Sequence, residues 1–250
     1  MKINRNNKFH KHQIFMKDTY LRNYLPETML LTKENLLNMQ NKYKKFVIKP
    51  SIGSLGKGII IVSEVGREKY ELFILNRIKN IVGQSNLYTF LKGQETHSIQ
   101  SIVQKYIPLA TYTSRSIDFR YIVQRTDTEW VVTGKYAKVA KDGYAVTNFE
   151  YGSSILTVEE ALMNTNINHL NLDELLETLE IVTLSISNCL YTYFPSIKIW
   201  GCDIGIDIKG NIWIIEANSA PQTKGFLEIE ALKPMYNTIE SYKRKYKRKT

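Results

Sequence analysis

The alternation of apolar and polar positions divides this 250-residue chain into short strands and a few helices. Residues 8–24 carry a mixed helical pattern that Leu25-Pro26 ends, because a residue ahead of proline is pushed out of the helical region. Thr32 precedes KENLLNMQNKY, where Glu34 and the apolar Leu36, Leu37 and Met39 predict a short helix. Phe46-Val47-Ile48 reads as a compact strand ended by Lys49-Pro50 and a glycine-rich stretch, and Ile59 to Val62 as the next strand. The pattern predicts helices over 68–81 and 85–92 and a strand over SIVQKYI (101–107). DFRYIVQR (118–125) and WVVTGKYAKVA (130–140) read as strands joined at Thr126-Asp127-Thr128. A long helical pattern covers 172–193 behind Asn171, a side chain suited to capping. IWGCDIGIDI (199–208) and NIWIIEAN (211–218), joined by Lys209-Gly210, complete the series. Strands and helices mix without regular βαβ alternation, which predicts two α+β lobes rather than a Rossmann sheet.

The 199–218 hairpin is the most informative segment. If Lys209 and Gly210 form a two-residue connection, Ile208 pairs with Asn211 and Asp203 falls opposite Glu216, roughly 5 Å away. Cys202, Ile204, Ile206 and Ile208 then face the core with Trp213, Ile215 and Ala217. Asp203, Gly205, Asp207, Glu216 and Asn218 take the other face. A one-residue slip is opposed by this pattern, and a two-residue shift keeps the same polar residues together. Two carboxylates and a carboxamide are hard oxygen donors, which suit Mg²⁺ or Mn²⁺ completed by water and phosphate oxygens. Gly205 leaves room for a ligand's approach, and Asp207 is a secondary candidate or a turn-side surface residue. The competing reading is an exposed sheet face whose polar residues only touch water.

FVIKPSIGSLGKGIIIV has the form strand, lysine, glycine-rich loop, strand. Gly53, Gly56 and Gly58 permit turns that aim N–H groups at phosphate oxygens; Ser51 and Ser54 add hydroxyls, and Lys49 and Lys57 add cations. It is not a Walker A loop, since Gly58 follows Lys57 and a strand rather than a helix comes next. Alone, such a loop is more often a hairpin turn. Followed by an oxygen-ligand cluster, it points to phosphate binding.

Composition adds bounds rather than function. A chain with 43% hydrophobic and 23% charged residues can bury a core as one domain or two packed lobes. The net charge of +10 is accounted for by Lys2, Arg5, Lys8 and Lys11 in residues 1–12 and by six cations in residues 241–250. Residues 13–240 are formally neutral, so the expectation is solvated, frayed basic termini rather than a nucleic-acid partner. Cys189 and Cys202 are too few for a disulfide framework and fit small core residues in a reducing compartment. Neither a signal peptide nor a membrane-length apolar run is read, which makes a cytoplasmic protein the default. His10, His12, His97 and His169 show no metal or catalytic spacing and read as surface residues, and the sixteen tyrosines as packing residues.

Taken in order, NKF (7–9), YLPET (24–28), VIKPSIGSLGKGI (47–59), VQKYI (103–107), DFR (118–120), TGKYAKVA (133–140), VTN (146–148) and GCDIGID through EANSAP (201–221) resemble the ATP-grasp superfamily. Within it they resemble the YheC/YheD-like, endospore coat-associated group over nearly the whole chain. The resemblance implies an ATP-grasp α+β fold of two lobes with nucleotide between them. It divides the chain into a basic helical segment (1–30), an N-terminal lobe with the glycine-rich loop (31–107), a C-terminal lobe with the metal site (108–240) and a basic tail (241–250).

The resemblance also implies roles. Lys8 and Lys49 contact ATP, the loop 51–58 folds over its phosphates, and Lys105, Tyr106 and Ile107 form the hinge whose backbone meets adenine, with Gln104 where many relatives carry a ribose-binding acid. Arg120 approaches the transferred phosphate or the acceptor carboxylate, Lys138 stands where relatives often carry arginine, and Asn148 lies on the phosphate side. Asp203, Glu216 and Asn218 hold magnesium. Gly152-Ser153 replaces a common Gly-Gly pair, and the usual N-terminal domain is not represented ahead of Lys8, so a partner protein is a candidate to supply it. The implied activity is an ATP- and Mg²⁺-dependent carboxylate–amine ligase acting through an acyl phosphate on small-molecule or peptide substrates. The alternatives are an ATP-grasp kinase and a non-catalytic, nucleotide-binding, spore-associated structural protein.

Overall fold

The computed structural model describes residues 3–96, 99–144, 146–147 and 149–247. It parts into two compact units: one of Met1–His12, Pro26–Ile107 and Asp142–Val146, the other of Gln13–Leu25, Pro108–Lys141 and Thr147–Thr250.

The first unit takes helix α1 (Lys8–Phe15) as far as His12, and Lys8 N–H donates to Ser51 O at 2.7 Å. Its antiparallel sheet contains β1 (Thr28–Leu30), β2 (Lys45–Pro50), β3 (Ile60–Gly66), β4 (Lys69–Ile74), β5 (Arg77–Val82) and β6 (Ser101–Lys105), in the order β1-β6-β2-β3-β4-β5. Helices α2 (Lys33–Lys42) and α3 (Gln84–Gly93) bury Leu36, Met39, Leu87 and Leu91 against Phe46, Ile48, Ile60, Val62, Leu72 and Val103. Thr32 caps α2 by accepting from Asn35 N–H at 3.1 Å, as its position in the sequence predicts.

Two expectations fail in this stretch. Residues 68–81 are the β4–β5 hairpin, not a helix. Tyr70 and Leu72 are buried while Lys69 is exposed, a period of two, and isoleucine at 74, 78 and 81 favours the pleated strand. The helical pattern over 8–24 is broken after Phe15, where Asp18 Oδ1 accepts from the N–H groups of Tyr20 and Leu21, both at 2.9 Å. That side-chain turn starts a separate short 3₁₀ turn, Leu21–Tyr24.

The second unit is built on a sheet in the order β10-β9-β8-β11-β12, with β7 also on β8. Its strands are β7 (Thr111–Tyr112), β8 (Arg115–Arg125), β9 (Trp130–Val139), β10 (Ser154–Leu156), β11 (Ile199–Ile206) and β12 (Ile212–Asn218). Helices α4 (Val158–Met163) and α5 (Leu172–Tyr193) cover one face, where Leu179, Val182, Ile186 and Leu190 pack on Phe119, Tyr121, Ala137, Cys202 and Ile204. Asn171 caps α5 as expected, accepting from Glu174 N–H. Helix α6 (Lys233–Lys247) lies on the opposite face, where its Ile239 joins Phe226 and Leu232 from the segment ahead of it against Ile122 and Tyr136.

The basic termini are not frayed where they are described. Lys11 lies within α1 and is 3% exposed, and residues 241–247 are the last turns of α6. There Lys243 Nζ reaches Glu240 Oε1 at 2.7 Å and the Tyr246 hydroxyl donates to Arg125 O. Helix formation beside an available core stabilises these segments more than their like charges repel. Cys202 is buried and Cys189 half-buried.

Candidate functional site

The β11–β12 hairpin places its polar residues by a different route from the two-residue turn. Asp207 N–H donates to Asn211 O and Gly210 N–H to Asp207 O, both at 2.9 Å, so Ile208, Lys209 and Gly210 form a three-residue connection. Gly210 takes a φ of 85°, the left-handed conformation such a loop requires. A bulge after Asp203 absorbs the extra residue: Ile206 pairs with Ile212 and Ile204 with Ile214, yet Asp203 still pairs with Glu216. The bulge changes which residues of β12 face the core. Ile212, Ile214 and Ala217 are buried there, in place of the expected Trp213 and Ile215, and Ile208 is 48% exposed.

Asp207 is a turn organiser rather than a ligand candidate. Its carboxylate accepts from Lys209 N–H at 2.8 Å, Asn211 N–H at 3.0 Å, the Asn211 amide and Trp213 Nε1 at 2.9 Å. Gly205 does not open space for a ligand either. A Cβ there would meet Leu109 Cδ2 at 2.4 Å, so the missing side chain admits a leucine.

Antiparallel pairing sets Tyr136, Arg120, Asp203 and Glu216 in one row across β9, β8, β11 and β12. Lys138 and Asp118 are paired on one side of this row, and Ile122, Gly201 and Asn218 lie on the other. Arg120 grips Asp203 with a two-point fork, Nε to Oδ1 at 2.6 Å and Nη2 to Oδ2 at 2.8 Å. Lys138 Nζ bridges Asp203 Oδ1 at 3.0 Å and Asp118 Oδ1 at 2.9 Å. Asn218 Nδ2 stands 3.5 Å from Asp203 Oδ2. Asp118 and Arg120, two residues apart on β8, take different partners across the sheet, and the Thr147 hydroxyl donates to Asp118 Oδ2.

Burial pushes the Asp203 carboxyl up, but the Arg120 guanidinium and Lys138 ammonium outweigh it and hold the group at about 2. Burial raises Asp118, with the negative Asp203 adding to the effect and Lys138 opposing it. Lys138 is lowered by burial but raised overall by its two carboxylates.

Asp203, Glu216 and Asn218 are thus brought together, and as two carboxylates and a carboxamide they fit a hard divalent ion. Among the described residues no cluster of three or more His, Cys, Asp or Glu side chains could hold a metal. Arg120 and Lys138 join the same cluster. Asn148 lies outside the described residues. Asp118 and Thr147 are the additions that sequence reading missed; the i, i+2 spacing of Asp118 and Arg120 was the available signal.

In the first unit, Lys49 Nζ donates to Gln104 Oε1 at 2.7 Å, and Gln104 Nε2 donates to Thr28 Oγ1 at 2.8 Å. Lys8 Nζ donates to Gly53 O at 2.6 Å, tying α1 to the glycine-rich loop. Ser51 is buried, with its N–H on Gln100 O at 2.8 Å, whereas Ser54 and Lys57 are exposed. Gly56 and Gly58 take φ of 69° and 74°, and a Cβ on Gly58 would meet Pro50 Cγ at 2.8 Å. Along the 105–107 segment, Lys105 N–H is committed to Glu27 O at 2.9 Å; Tyr106 and Ile107 follow, both half-buried.

His12 departs from the surface reading, since burial lowers it to about 4, with Phe9 stacked at 6.3 Å. His10 is half-buried and accepts from Asn4 N–H, His169 is exposed, and His97 lies outside the described residues. Among the described residues no helix is long and apolar enough to cross a membrane.

The YheC/D-like ATP-grasp family model matches residues 3–246. The endospore coat-associated protein YheD of Bacillus subtilis strain 168 is 27% identical over 224 residues, covering 86% of this chain and 48% of that protein. The chain therefore spans about half the length of that relative. Among solved structures, an N5-carboxyaminoimidazole synthase from Aspergillus clavatus, in complex with ADP and 5-aminoimidazole ribonucleotide, has a TM-score of 0.52 at 12% identity, over 88% of this chain and 46% of its own. An L-amino acid ligase from Bacillus licheniformis has a TM-score of 0.53 at 12% identity, over 89% of this chain and 42% of its own. At such identity these two likenesses speak for the fold.

Proposed function

The chain belongs to the YheC/D-like ATP-grasp family, and from that premise we propose that it is an ATP- and magnesium-dependent carboxylate–amine ligase working through an acyl phosphate. The observation that carries the reading is the row of Arg120, Asp203 and Glu216 with Lys138 beside it, which joins two cations to an oxygen-donor set on one sheet face. A carboxylate oxygen of the substrate takes the γ-phosphoryl group and ADP leaves. An amine then attacks the acyl carbon, giving an amide and phosphate. Lys49, Lys8 and the loop 51–58 bind the phosphates, and the 104–107 segment takes the adenosine end. Arg120 and Lys138 offset the charge that develops on the phosphoryl oxygens. Asp203, Glu216 and Asn218 would hold magnesium, which when bound would further neutralise the phosphate charge. The side chains position and neutralise, so the chemistry needs no protein nucleophile. Similarity to a ligase and to a synthase of this fold supports the reaction class.

Similarity to the endospore coat-associated protein of B. subtilis favours a second reading, a nucleotide-binding protein of the spore without turnover, and it supports spore association under either one. One experiment separates them. ADP release is followed with Mg²⁺ across carboxylate and amine pools, with products identified by mass. The ligase reading expects release that needs both co-substrates and falls on the order of 10²-fold or more in Asp203→Asn and Glu216→Gln. ATP binding without turnover in any pool gives the function to the second reading, and a phosphorylated alcohol as product makes the protein a kinase.

A further inference from the structure

Asp203, the central ligand of the proposed metal set, is enclosed by cations. The Arg120 fork takes both oxygens at 2.6 and 2.8 Å, Lys138 adds a contact at 3.0 Å, and the residue is 6% exposed. A divalent ion needs an oxygen lone pair at about 2.1 Å. The guanidinium fork takes one lone pair on each oxygen and Lys138 a second on Oδ1, and both cations repel an incoming divalent charge.

The two protein cations are held differently. Lys138 has a second carboxylate, Asp118, at 2.9 Å, and Asp118 is anchored in turn by the Thr147 hydroxyl. Asp118 is 5% exposed, so removing its cation would leave a buried charge uncompensated. Arg120 ion-pairs, among the described residues, with Asp203 alone. Losing Asp203 to a metal therefore costs Arg120 its fork, whereas Lys138 keeps a carboxylate.

We propose that Arg120 is the exchangeable cation of this cluster and Lys138 the fixed one. Metal entering at Asp203 displaces the guanidinium, which is then free for a phosphate or carboxylate oxygen, while Asp118 and Thr147 act as positioning residues for Lys138. The proposal rests on the magnesium assignment above. It carries a consequence that the assignment alone does not: metal binds weakly until a phosphate-bearing ligand takes up Arg120, and the two affinities strengthen each other equally.

The test is Mn²⁺ binding to the full chain, followed by the electron paramagnetic resonance signal of free Mn²⁺, with no nucleotide present. Arg120→Gln is expected to bind Mn²⁺ about tenfold or more tighter than the wild type. Arg120→Lys keeps the charge but loses the fork, and is expected to gain about threefold or more; it also carries the test if Arg120→Gln does not fold. Adding Asp203→Asn to Arg120→Gln should abolish the gain. With ADP present, and Mn²⁺–ADP binding measured separately, the wild type should tighten by about tenfold and Arg120→Gln by much less.

Equal affinity in the wild type and both Arg120 variants overturns the exchange, and so does a gain in Arg120→Gln that Arg120→Lys does not share, since net charge alone then explains it. A gain that survives Asp203→Asn overturns the metal assignment together with the exchange. ADP that fails to bind overturns the ATP reading, while the nucleotide-free comparison still judges the exchange.

Discussion

Asp203 and Asp118 are both buried carboxylates on one sheet face, and their environments push them in opposite directions. Asp203 has two cations in hydrogen-bond contact, whereas Asp118 shares only Lys138 and feels the negative Asp203 beside it. That Asp203, Glu216 and Asn218 lie close together was legible from their spacing on either side of a tight connection. Which cation meets which carboxylate was not, because that depends on pairing β8 with β11 across 83 residues of chain. His12 is the residue whose environment the sequence hid most fully. Its folded value of about 4 lies below the ordinary 6.5, so between those limits the unfolded chain binds a proton that the folded chain does not. Stability is therefore fully present above pH 6.5 and is lost as pH falls toward 4. Allowing for partial exposure, the loss is about 2 kcal/mol. Urea unfolding at pH 7.5 and 4.5 should show it in the wild type, and His12→Phe should remove that part of the loss.

At the scale of elements, helices α2 and α5 were read with their caps, since Thr32 and Asn171 act through backbone groups three residues away. The β4–β5 hairpin differs from the expected helix because apolar residues at 70, 72–75, 78 and 81–82 satisfy a helical spacing as well as an alternating one. Pairing with β3 decides between them, and that contact lies outside any local window. The β11–β12 hairpin is a subtler case. The expected pairing of Asp203 with Glu216 survives only because a three-residue connection and a bulge compensate each other. Asp207 holds that connection with bonds to Lys209, Asn211 and Trp213. Asp207→Ala should cost about 3 kcal/mol by chemical denaturation, as several donors lose a charged acceptor together. A cost near that of an ordinary surface substitution would show that the turn holds without it.

At the scale of the whole molecule, each unit carries one part of the proposed chemistry: Lys49, Gln104 and the glycine-rich loop in the first, the Asp203 cluster in the second. A ligand bound by the folded chain alone stabilises it by mass action, so ATP at about 100 times its dissociation constant should add about 2.7 kcal/mol to the unfolding free energy. Lys49→Ala should lose most of that increment in a thermal unfolding series with and without ATP; full retention would remove Lys49 from the nucleotide site. The sequence by itself determined the α+β class, most strands and helices, and the nearness of Asp203, Glu216 and Asn218, because all of these follow from periodicity and residue type over short stretches. Only the tertiary structure decided that Asp203 lies under an arginine fork, that Asp118 serves Lys138, and that Gly205 accommodates Leu109. Those outcomes come from strands distant in sequence being brought side by side, and a register shared by four strands is a property of the sheet rather than of any one of them.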